Sequence, residues 1–198
     1  NIEIDFTLFY NYRKDPQLRI FTQFDLQNPT SFDYATFNTG YGINKGFETS
    51  IRIKQDSTIL VYLELGVLNT YISAFSFLGN QYGNRETAHS PKYNGTLGVD
   101  VDLSNFFDNI YLNIESNFIG EFYFDDQNNH KSIPYNIFNA LIGYKKDNIE
   151  INFWGKNIFN TNYAIRGYTF ALDPTYEVRD WKSYGNKRTI GFSIILNI

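Results

Sequence analysis

Acidic side chains recur at alternate positions in several stretches of this chain, and they are the first candidates for chemistry. Glu3 and Asp5 are separated by one residue, as are Asp100 and Asp102, and such residues share a face in extended backbone. Eight acidic residues fall on the polar side of an alternating pattern: Glu3, Asp5, Glu48, Glu64, Asp100, Asp102, Glu115 and Glu150. Like charges on one face repel unless they are countered. Either these carboxylates are merely solvated, or they form an acidic wall that holds a basic partner.

A second candidate site is the aromatic loop at 164–186. Aromatic rings and guanidinium groups can hold a planar or anionic ligand through cation–π contacts and charge-assisted hydrogen bonds. The loop carries Arg166, Tyr168, Phe170, Tyr176, Arg179, Trp181 and Tyr184. The alternative is that the same side chains only pack the loop.

The rest of the chain offers no catalytic or metal-binding arrangement. His89 and His130 fall in separate predicted loops, so we interpret both as surface residues. The absence of cysteine excludes disulfides and thiolate metal sites, and no G-x-S-x-G nucleophile motif is present. A net charge of −4 without a basic run argues against a nucleic-acid partner. We therefore predict neither an enzyme nor a bound cofactor.

The clearest structural element is the final stretch, 187–198. Large apolar residues occupy its even positions, and mostly small or polar residues occupy the odd ones. The two sets are Ile190, Phe192, Ile194, Leu196 and Ile198 against Gly191, Ser193, Ile195 and Asn197. A period of two predicts a β-strand with one apolar and one polar face. A strand that ends a chain needs a partner on both sides, and closure of a barrel provides one.

The same alternation predicts eight strands in all. They span 1–12, 39–54, 59–71, 93–103, 110–124, 135–145, 149–159 and 187–198. Short turns at 55–58, 104–109 and 146–148 alternate with long connections. Short turns on one side and long loops on the other are typical of an outer-membrane barrel. In such a barrel, residues 18–27 of the first long connection are expected to extend strands beyond the membrane. We therefore predict an all-β, antiparallel up-and-down meander of about eight strands.

Outer-membrane lipid is the expected neighbour of the apolar faces. No apolar run reaches the ~18 residues of a membrane-spanning helix, but alternating barrel strands do not produce such a run. Aromatic residues make up 19% of the chain, as the two aromatic girdles of a barrel require. We predict that Tyr10, Tyr12, Tyr71 and Phe118 anchor the sheet at the lipid interface.

Five motifs resemble, in the family's order, the barrel of TonB-dependent outer-membrane receptors. YGNKRTIGFSI at 184–194 resembles the family's C-terminal signature, with Lys187 in place of the usual Pro and Ile198 in place of the terminal Phe. The other four are NTGYGINKGFE (38–48), SPKYNGTLGV (90–99), PYNIFNALIGY (134–144) and WGKNIFNTNY (154–163). Each motif alone is degenerate, but together they span nearly the whole chain.

The resemblance implies a 22-stranded barrel that encloses an N-terminal plug domain. A TonB box at the start of the plug couples such receptors to the inner membrane. Eight strands are about the last third of that barrel, so we expect residues 1–198 to be its C-terminal portion, with the plug and earlier strands outside them. The implied function is TonB-energised uptake of a scarce small nutrient such as a ferric siderophore, haem, cobalamin or an oligosaccharide.

The resemblance also assigns roles to residues. The plug occupies the part of the lumen that the acidic wall lines, so the plug-facing candidates are Glu48, Glu64, Asp100, Asp102 and Glu150. Glu48 is the first choice because it lies in the family's G-x-E segment. The residues that the barrel-assembly machinery is expected to recognise as a C-terminal signal are Gly191, Phe192, Ile194, Leu196 and Ile198.

Two interpretations stay open. The chain is either a fragment of such a receptor or a complete, small eight-stranded barrel with a structural or adhesive role, since eight strands suit a barrel filled by its own side chains. The chain has no Met, so we expect it to follow a cleavage or to come from a longer product. A membrane enzyme is a distant third alternative.

Overall fold

The computed structural model describes residues 1–23, 25, 27–28, 31–170 and 177–197. Within these residues the chain forms fourteen β-strands. In chain order they are β1 (Ile2–Lys14), β2 (Gln17–Gln23), β3 (Phe32–Asn38), β4 (Tyr41–Gln55), β5 (Ile59–Ile72), β6 (Phe75–Phe77), β7 (Asn80–Tyr82), β8 (Tyr93–Asp102), β9 (Ile110–Ile119), β10 (Tyr135–Lys146), β11 (Ile149–Lys156), β12 (Ala164–Phe170), β13 (Arg179–Tyr184) and β14 (Thr189–Leu196). No helix in the described part of the chain is long and apolar enough to cross a membrane.

Eight of these strands form one antiparallel sheet in the order β1-β4-β5-β8-β9-β10-β11-β14. Each strand pairs with the next member of the sheet along the chain, so the sheet is an up-and-down meander. The predicted all-β fold is therefore confirmed. The strands β1 and β14 lie at opposite edges of the sheet.

The register of the sheet fixes which residues share its apolar face. One row of cross-strand partners consists of Ile2, Ile53, Val61, Val99, Ile114, Ala140, Gly155 and Ile190. Side chains alternate between faces along a strand, so the residues two positions before and after these lie on the same face. This face is open, since Leu8 is 72% and Phe192 74% exposed. An apolar surface of this extent requires an apolar medium.

Tyrosine rings follow the edge of the apolar face next to the long loops. Tyr12 stacks on Tyr41 with ring centroids 5.9 Å apart, and Tyr41 packs against Tyr71 at 5.8 Å. Tyr10 is exposed on the same face of β1, and Phe118 packs against a further tyrosine of β8. This edge matches the position predicted for interface anchors, where a ring with an apolar body and a polar tip is favoured.

The turns alternate in length as the sequence predicts. Tight turns join β4 to β5 and β10 to β11, and Asp56 and Asp147 adopt the positive φ values of 54° and 49° that such turns use. A slightly longer turn joins β8 to β9, where the N–H groups of Phe106 and Phe107 both donate to the Leu103 carbonyl. The long connections all lie at the other end of the sheet.

Two predicted strands end earlier than expected. The ninth strand stops at Ile119 rather than at residue 124, because Phe122 and Phe124 leave the sheet and become buried beneath the loops. The strand β11 stops at Lys156 rather than at 159. The side chain of Asn157 ends it by accepting from the Thr161 N–H and donating to two backbone carbonyls.

Three of the long connections contain hairpins of their own. The pair β2–β3 has a strand within the segment 18–27, for which the sequence predicts strands, whereas the pairs β6–β7 and β12–β13 lie where the sequence predicts only loops. The fourth connection, residues 120–134, contacts all of these regions, and we call it the hub segment. The buried apolar residues lie in and around these loops: Leu18, Ile20, Ile72, Phe122, Phe124 and Ala164.

Candidate functional site

The carboxylates of the polar sheet face are not a bare cluster, because several are held by neighbouring strands. Glu64 accepts hydrogen bonds from the Ser50 hydroxyl at 2.9 Å and from the Arg52 guanidinium at 3.1 Å. Glu115 accepts from the amides of Asn117 at 3.1 Å and Asn139 at 2.8 Å. Three of these bonds cross to a neighbouring strand, whereas Asn117 lies on the same strand as Glu115, and together they fix both carboxylates against the sheet.

The acidic residues nearer the short turns are held in the same way. Asp100 accepts from the Asn113 amide at 2.6 Å, and Asp102 accepts from the Ser104 N–H at 2.9 Å. Glu150 has the most partners. Its carboxylate accepts hydrogen bonds from the Tyr111 hydroxyl at 2.8 Å and from the Asn152 amide at 2.9 Å, and it lies 3.7 Å from the Lys145 ammonium group. The predicted wall is therefore largely tied into the sheet on this side.

Glu48 differs from these residues. It is exposed and lies with Asp5 and Glu64 in the lining of a cavity of about 620 Å³ on the polar face. Within the described residues, no hydrogen bond or ion pair holds the carboxylates of Glu48, Glu3 or Asp5. The structure thus brings Asp5, Glu48 and Glu64 together, and it leaves Glu48 open to a partner outside these strands.

The C-terminal signature residues divide between the two faces of β14. Phe192, Ile194 and Leu196 lie on the apolar face and are 74%, 58% and 63% exposed. Gly191 lies on the polar face beneath the indole of Trp154, and a Cβ at this position would approach Trp154 Cζ2 to 2.4 Å. The motif glycine is therefore required by the aromatic ring across the strand pair. Ile198 lies outside the described residues.

The hub segment is fastened to the loop that follows β7. The Arg85 guanidinium donates to the carbonyl oxygens of Asp125 and Asn128 and lies 3.7 Å from the centre of the Tyr123 ring. The Ala88 N–H donates to the carboxylate of Asp126 at 2.8 Å. Burial raises the pKa of Asp126 above its ordinary value, although this N–H and the nearby guanidinium oppose the shift.

The two histidines have different surroundings. His89 is exposed, as predicted, and its ring lies 5.6 Å from that of Phe122. The surface interpretation of His130 is wrong, because its side chain is only 7% exposed. Its ring packs edge-on against Phe124 at 4.8 Å, and its Nδ1 lies 3.5 Å from an Asp180 oxygen. His130 thus joins the hub segment to β13. In the described residues no three His, Cys, Asp or Glu side chains form a metal site.

A cavity of about 630 Å³ lies among the hairpin β2–β3, the hub segment and β12. Arg166 and Tyr168, both predicted as ligand residues, line it together with the rest of 165–170. Arg179 and Trp181 do not line it. Trp181 stacks on Phe170 with centroids 6.1 Å apart, and Arg179 pairs with Glu177 at 2.9 Å. Tyr176 lies outside the described residues.

The opposite side of this cavity was not expected from the sequence. Its residues there come from β2, β3 and two loops: Arg19, Phe21, Tyr34, His89, Phe124, Asp125, Gln127 and Asn128. The alternation in β2 could have indicated that Arg19 and Phe21 share a face. No periodicity connects that face with residues more than a hundred positions later, so the cavity is visible only in the folded chain.

Comparison with known proteins decides the family. The family profile described as "TonB dependent receptor-like, beta-barrel" matches residues 1–158, which is most of the chain. The chain belongs to the TonB-dependent receptor β-barrel family. This confirms the resemblance that the five sequence motifs indicate.

Solved structures of TonB-dependent receptors share the fold. The ferric yersiniabactin uptake receptor FyuA from Yersinia pestis is 17% identical with a TM-score of 0.75, and the match covers 98% of this chain and 27% of that one. The ferric citrate transporter FecA is 21% identical with a TM-score of 0.67, covering 98% and 29%. The copper transporter OprC is 11% identical with a TM-score of 0.75, also covering 98% and 29%. The chain thus spans about a quarter of the length of these receptors.

Family membership indicates which face of the sheet contacts lipid and which faces the lumen of the barrel. Barrels of TonB-dependent receptors lie in the outer membrane of Gram-negative bacteria, so the apolar face of this sheet faces lipid. The family consists of receptors and transporters that serve nutrient uptake, not enzymes. The polar face is then the barrel's lumen side, and the hub segment and its hairpins lie at the long-loop rim.

Proposed function

We propose that residues 1–198 form the C-terminal third of the barrel of a receptor that imports a scarce nutrient with energy delivered through TonB. The cavity at the long-loop rim carries this proposal. It combines Arg166 and Arg19 with the rings of Tyr34 and Tyr168, and such groups hold planar or anionic molecules. Ferric siderophores, haem, cobalamin and oligosaccharides are the classes to test.

A small, complete barrel is the weaker candidate. In a closed eight-stranded barrel the first and last strands would pair, whereas β1 and β14 lie at opposite edges of this sheet. The matched receptors are about four times as long as this chain, which supports a segment of a larger barrel. The remaining strands, the plug and the TonB box would then belong to the rest of the parent chain.

The transport proposal is tested by uptake in a strain that lacks the parent receptor. Labelled members of the four nutrient classes are supplied to cells that carry the wild-type receptor, with TonB present or deleted. We expect uptake of one class that requires both the receptor and TonB. We expect the double variant Arg166→Gln, Tyr168→Ala to lower it, because two ligand-facing groups are lost. Uptake of all four classes that does not depend on the receptor would contradict the proposal.

We further propose that Glu48 pairs with a basic residue of the plug. Its carboxylate is exposed in the lumen-side cavity, while Glu64, Asp100, Asp102 and Glu150 are already bonded within the sheet. A shielded pair of this kind is strong, whereas a solvated one contributes little. The four bonded carboxylates remain secondary plug-facing candidates.

Charge reversal in the full-length receptor tests the Glu48 proposal. Glu48→Arg should lower uptake and the hydrogen-exchange protection of the plug, because two positive groups would face each other. Asp108→Arg, at an exposed position in the short β8–β9 turn, is the matched control and should leave both unchanged. If Glu48→Arg changes neither quantity, the acidic face is only a solvated lumen wall.

A further inference from the structure

Two lysines lie on the face of the sheet that contacts lipid. In the register of β1 and β4, Leu8 pairs with Phe47 on this apolar face. Lys45 is two residues from Phe47, and side chains alternate between faces along a strand. Lys14 is six residues from Leu8, so both lysines share this face. Both are exposed, and within the described residues no ion pair or side-chain hydrogen bond holds either ammonium group.

The lipid face of the described strands carries no acidic side chain that could neutralise these lysines. The register of the eight-stranded sheet places every Asp and Glu of its strands on the polar face. The third lysine of the lipid face, Lys146, lies at the opposite end of the sheet, where β10 ends at a short turn. The long-loop end of β1 and β4 therefore carries uncompensated positive charge on its lipid side.

Strand geometry gives the height of Lys45 in the membrane. Eight residues separate it from Ile53, which lies near the short turn after β4. At about 3.3 Å per residue this is roughly 26 Å along the strand, and a tilt of about 40° reduces it to a height of about 20 Å. The apolar band of such a barrel is about 25 Å tall and its long loops are extracellular. Lys45 therefore lies near the outer boundary of the band, where a lysine can extend its ammonium group to the lipid headgroups.

Lys14 lies farther out on the same face. It pairs with Tyr41, four residues beyond Lys45 on β4, which places it roughly 10 Å higher by the same geometry. The side chain of Lys45 extends outward from the apolar band, so the two ammonium groups lie on either side of the headgroup layer.

Neutral hydrogen-bond donors surround Lys45. Its cross-strand partners on this face are Tyr10 and Asn69, and both are exposed. A phenolic hydroxyl, a primary amide and an ammonium group can all donate hydrogen bonds, and none of them brings negative charge. Such a set suits an anion with several acceptor oxygens, and a phosphate group forms charge-assisted hydrogen bonds with lysine.

We propose that Lys14 and Lys45 bind the phosphate group of a lipid in the outer leaflet of the membrane. The phosphate lies between the two ammonium groups and accepts hydrogen bonds from Tyr10 and Asn69, while the acyl chains cover the apolar rows nearer the short turns. A lysine on the lipid face costs free energy, and a lipid phosphate at this height offsets that cost. The site lies on the other face of the sheet from Glu48, and its occupancy does not depend on the transport function proposed above.

Photocrosslinking of the purified full-length receptor in a bilayer tests this inference. The probes are a phosphatidic acid and a diacylglycerol with identical acyl chains and the same diazirine close to the ester group, each as a minor component of phosphatidylcholine vesicles. Adducts are mapped by peptide mass spectrometry. Those on the long-loop halves of β1, β4 and β5 are divided by those on the long-loop halves of β11 and β14, whose lipid face has no lysine. This adduct ratio should be several-fold higher for phosphatidic acid than for diacylglycerol, and equal ratios overturn the phosphate site.

Variants test the assignment to the two lysines. Lys45→Gln should lower the adduct ratio of phosphatidic acid several-fold, and the double variant Lys14→Gln, Lys45→Gln should reduce it to that of diacylglycerol. Both variants remove charge from a lipid face, so we expect them to fold. Lys54→Gln, at an exposed position on the polar face of the same strand, is the matched control and should change nothing. An equal fall with Lys45→Gln and Lys54→Gln, or no fall in the double variant, overturns the assignment.

Inorganic phosphate separates a lipid site from a site for a free anion. It is added in large excess over the phosphatidic acid, and sodium chloride at equal ionic strength is the control. The bilayer holds the lipid phosphate at the height of the lysines, so the adduct ratio should be the same in both salts. A loss of the phosphatidic acid preference in inorganic phosphate alone would assign the lysines to a free anion and overturn the lipid site.

Discussion

The transmembrane sheet and the hub segment both depend on apolar side chains, but they place them in different media. Phe192 of β14 is 74% exposed on the lipid face, whereas Phe124 of the hub segment is 3% exposed and packs against His130 and Gly167. The sheet is held by its hydrogen-bonded ladder and by the surrounding bilayer. The hub segment is held by side-chain packing like that of a water-soluble protein.

This contrast has a consequence for function. Removal of an apolar group from the sheet should affect insertion and assembly, while the same change in the hub segment should affect the shape of the cavity at the long-loop rim. The cavity is lined by the hairpin β2–β3, the loop after β7, the hub segment and β12, and the hub segment contacts the other three. Under the function proposed above, selectivity for the nutrient is expected to depend on how this small loop core packs at the end of the membrane sheet.

The largest effect is expected from a charge on the lipid face. Leu196→Asp in the parent receptor should strongly lower its outer-membrane abundance, because the charge costs free energy in lipid and interrupts the C-terminal apolar stripe. Ser193→Asp, on the polar face of the same strand, is the matched control and should be tolerated. Abundance is measured by immunoblot of outer-membrane fractions, and equal abundance of both variants would contradict the assigned faces.

Removal of a buried ring from the hub segment should have the next largest effect. Phe124→Ala removes a buried ring and should cost the loops about 3–5 kcal/mol of local stability, while the sheet remains folded. Hydrogen exchange followed by mass spectrometry should show faster exchange in residues 120–134 and unchanged exchange in β4 and β5. Phe106→Ala, at a ring that is 78% exposed in a short turn, is the control. Faster exchange throughout the sheet would show that the two regions are not separate.

Overpacking on the polar face should have a moderate effect. Gly191→Val places methyl groups where the Trp154 indole lies and should cost about 1–3 kcal/mol. The double variant Gly191→Val, Trp154→Ala should recover part of this loss, since the clash is removed. Gly66→Ala is a mild control, because its nearest neighbour is a side-chain oxygen of Asn94 at 3.4 Å. Unfolding midpoints are compared, and additive losses in the double variant would refute the proposed contact.

The smallest effect is expected from a change of pH, which acts on the hub segment through Asp126. Asp126 has a pKa that burial raises above its ordinary value of 3.8, so the folded loop binds the proton more tightly than the unfolded one. Protonated Asp126 therefore adds to the free energy of unfolding of the loop at low pH. This added stability is lost as the pH rises through the raised pKa. The protection factor of the Ala88 N–H, which is corrected for the intrinsic rise of amide exchange with pH, should therefore fall in that interval. Asp126→Asn should make the protection factor independent of pH there, and a variant that retains the fall would point to another group.

The sequence predicts the sheet far better than the loops, for a physical reason. In β1 and β14 the period of two continues over nearly the whole strand, so the apolar face follows from it. In β9 the same parity continues into Phe122 and Phe124, which are buried beneath the loops instead of facing lipid. An apolar side chain at a lipid face and one in a loop core look alike in sequence, and only Gly120 marks the change.

The candidate sites follow the same division. Arg166 and Tyr168 could be identified from composition alone, since a loop rich in aromatic residues and arginine is distinctive. Arg19, Phe21 and Gln127 could not, because their meeting depends on how separate loops pack. Glu48 could be singled out from its motif, but its freedom from the hydrogen bonds that hold Glu64 and Glu150 is a property of the folded sheet.

The assignment of one face of the sheet to lipid and the other to the lumen is tested most directly by spin labels on β5. The chain contains no cysteine, so single cysteines can be placed within it at Val61, Tyr62, Leu63 and Gly66, after replacement of any cysteine elsewhere in the parent receptor. In membranes, labels at Val61 and Leu63 should be relaxed by oxygen, which concentrates in lipid. Labels at Tyr62 and Gly66 should be relaxed by a water-soluble nickel chelate. Equal access at all four positions, or the opposite pattern, would contradict the account.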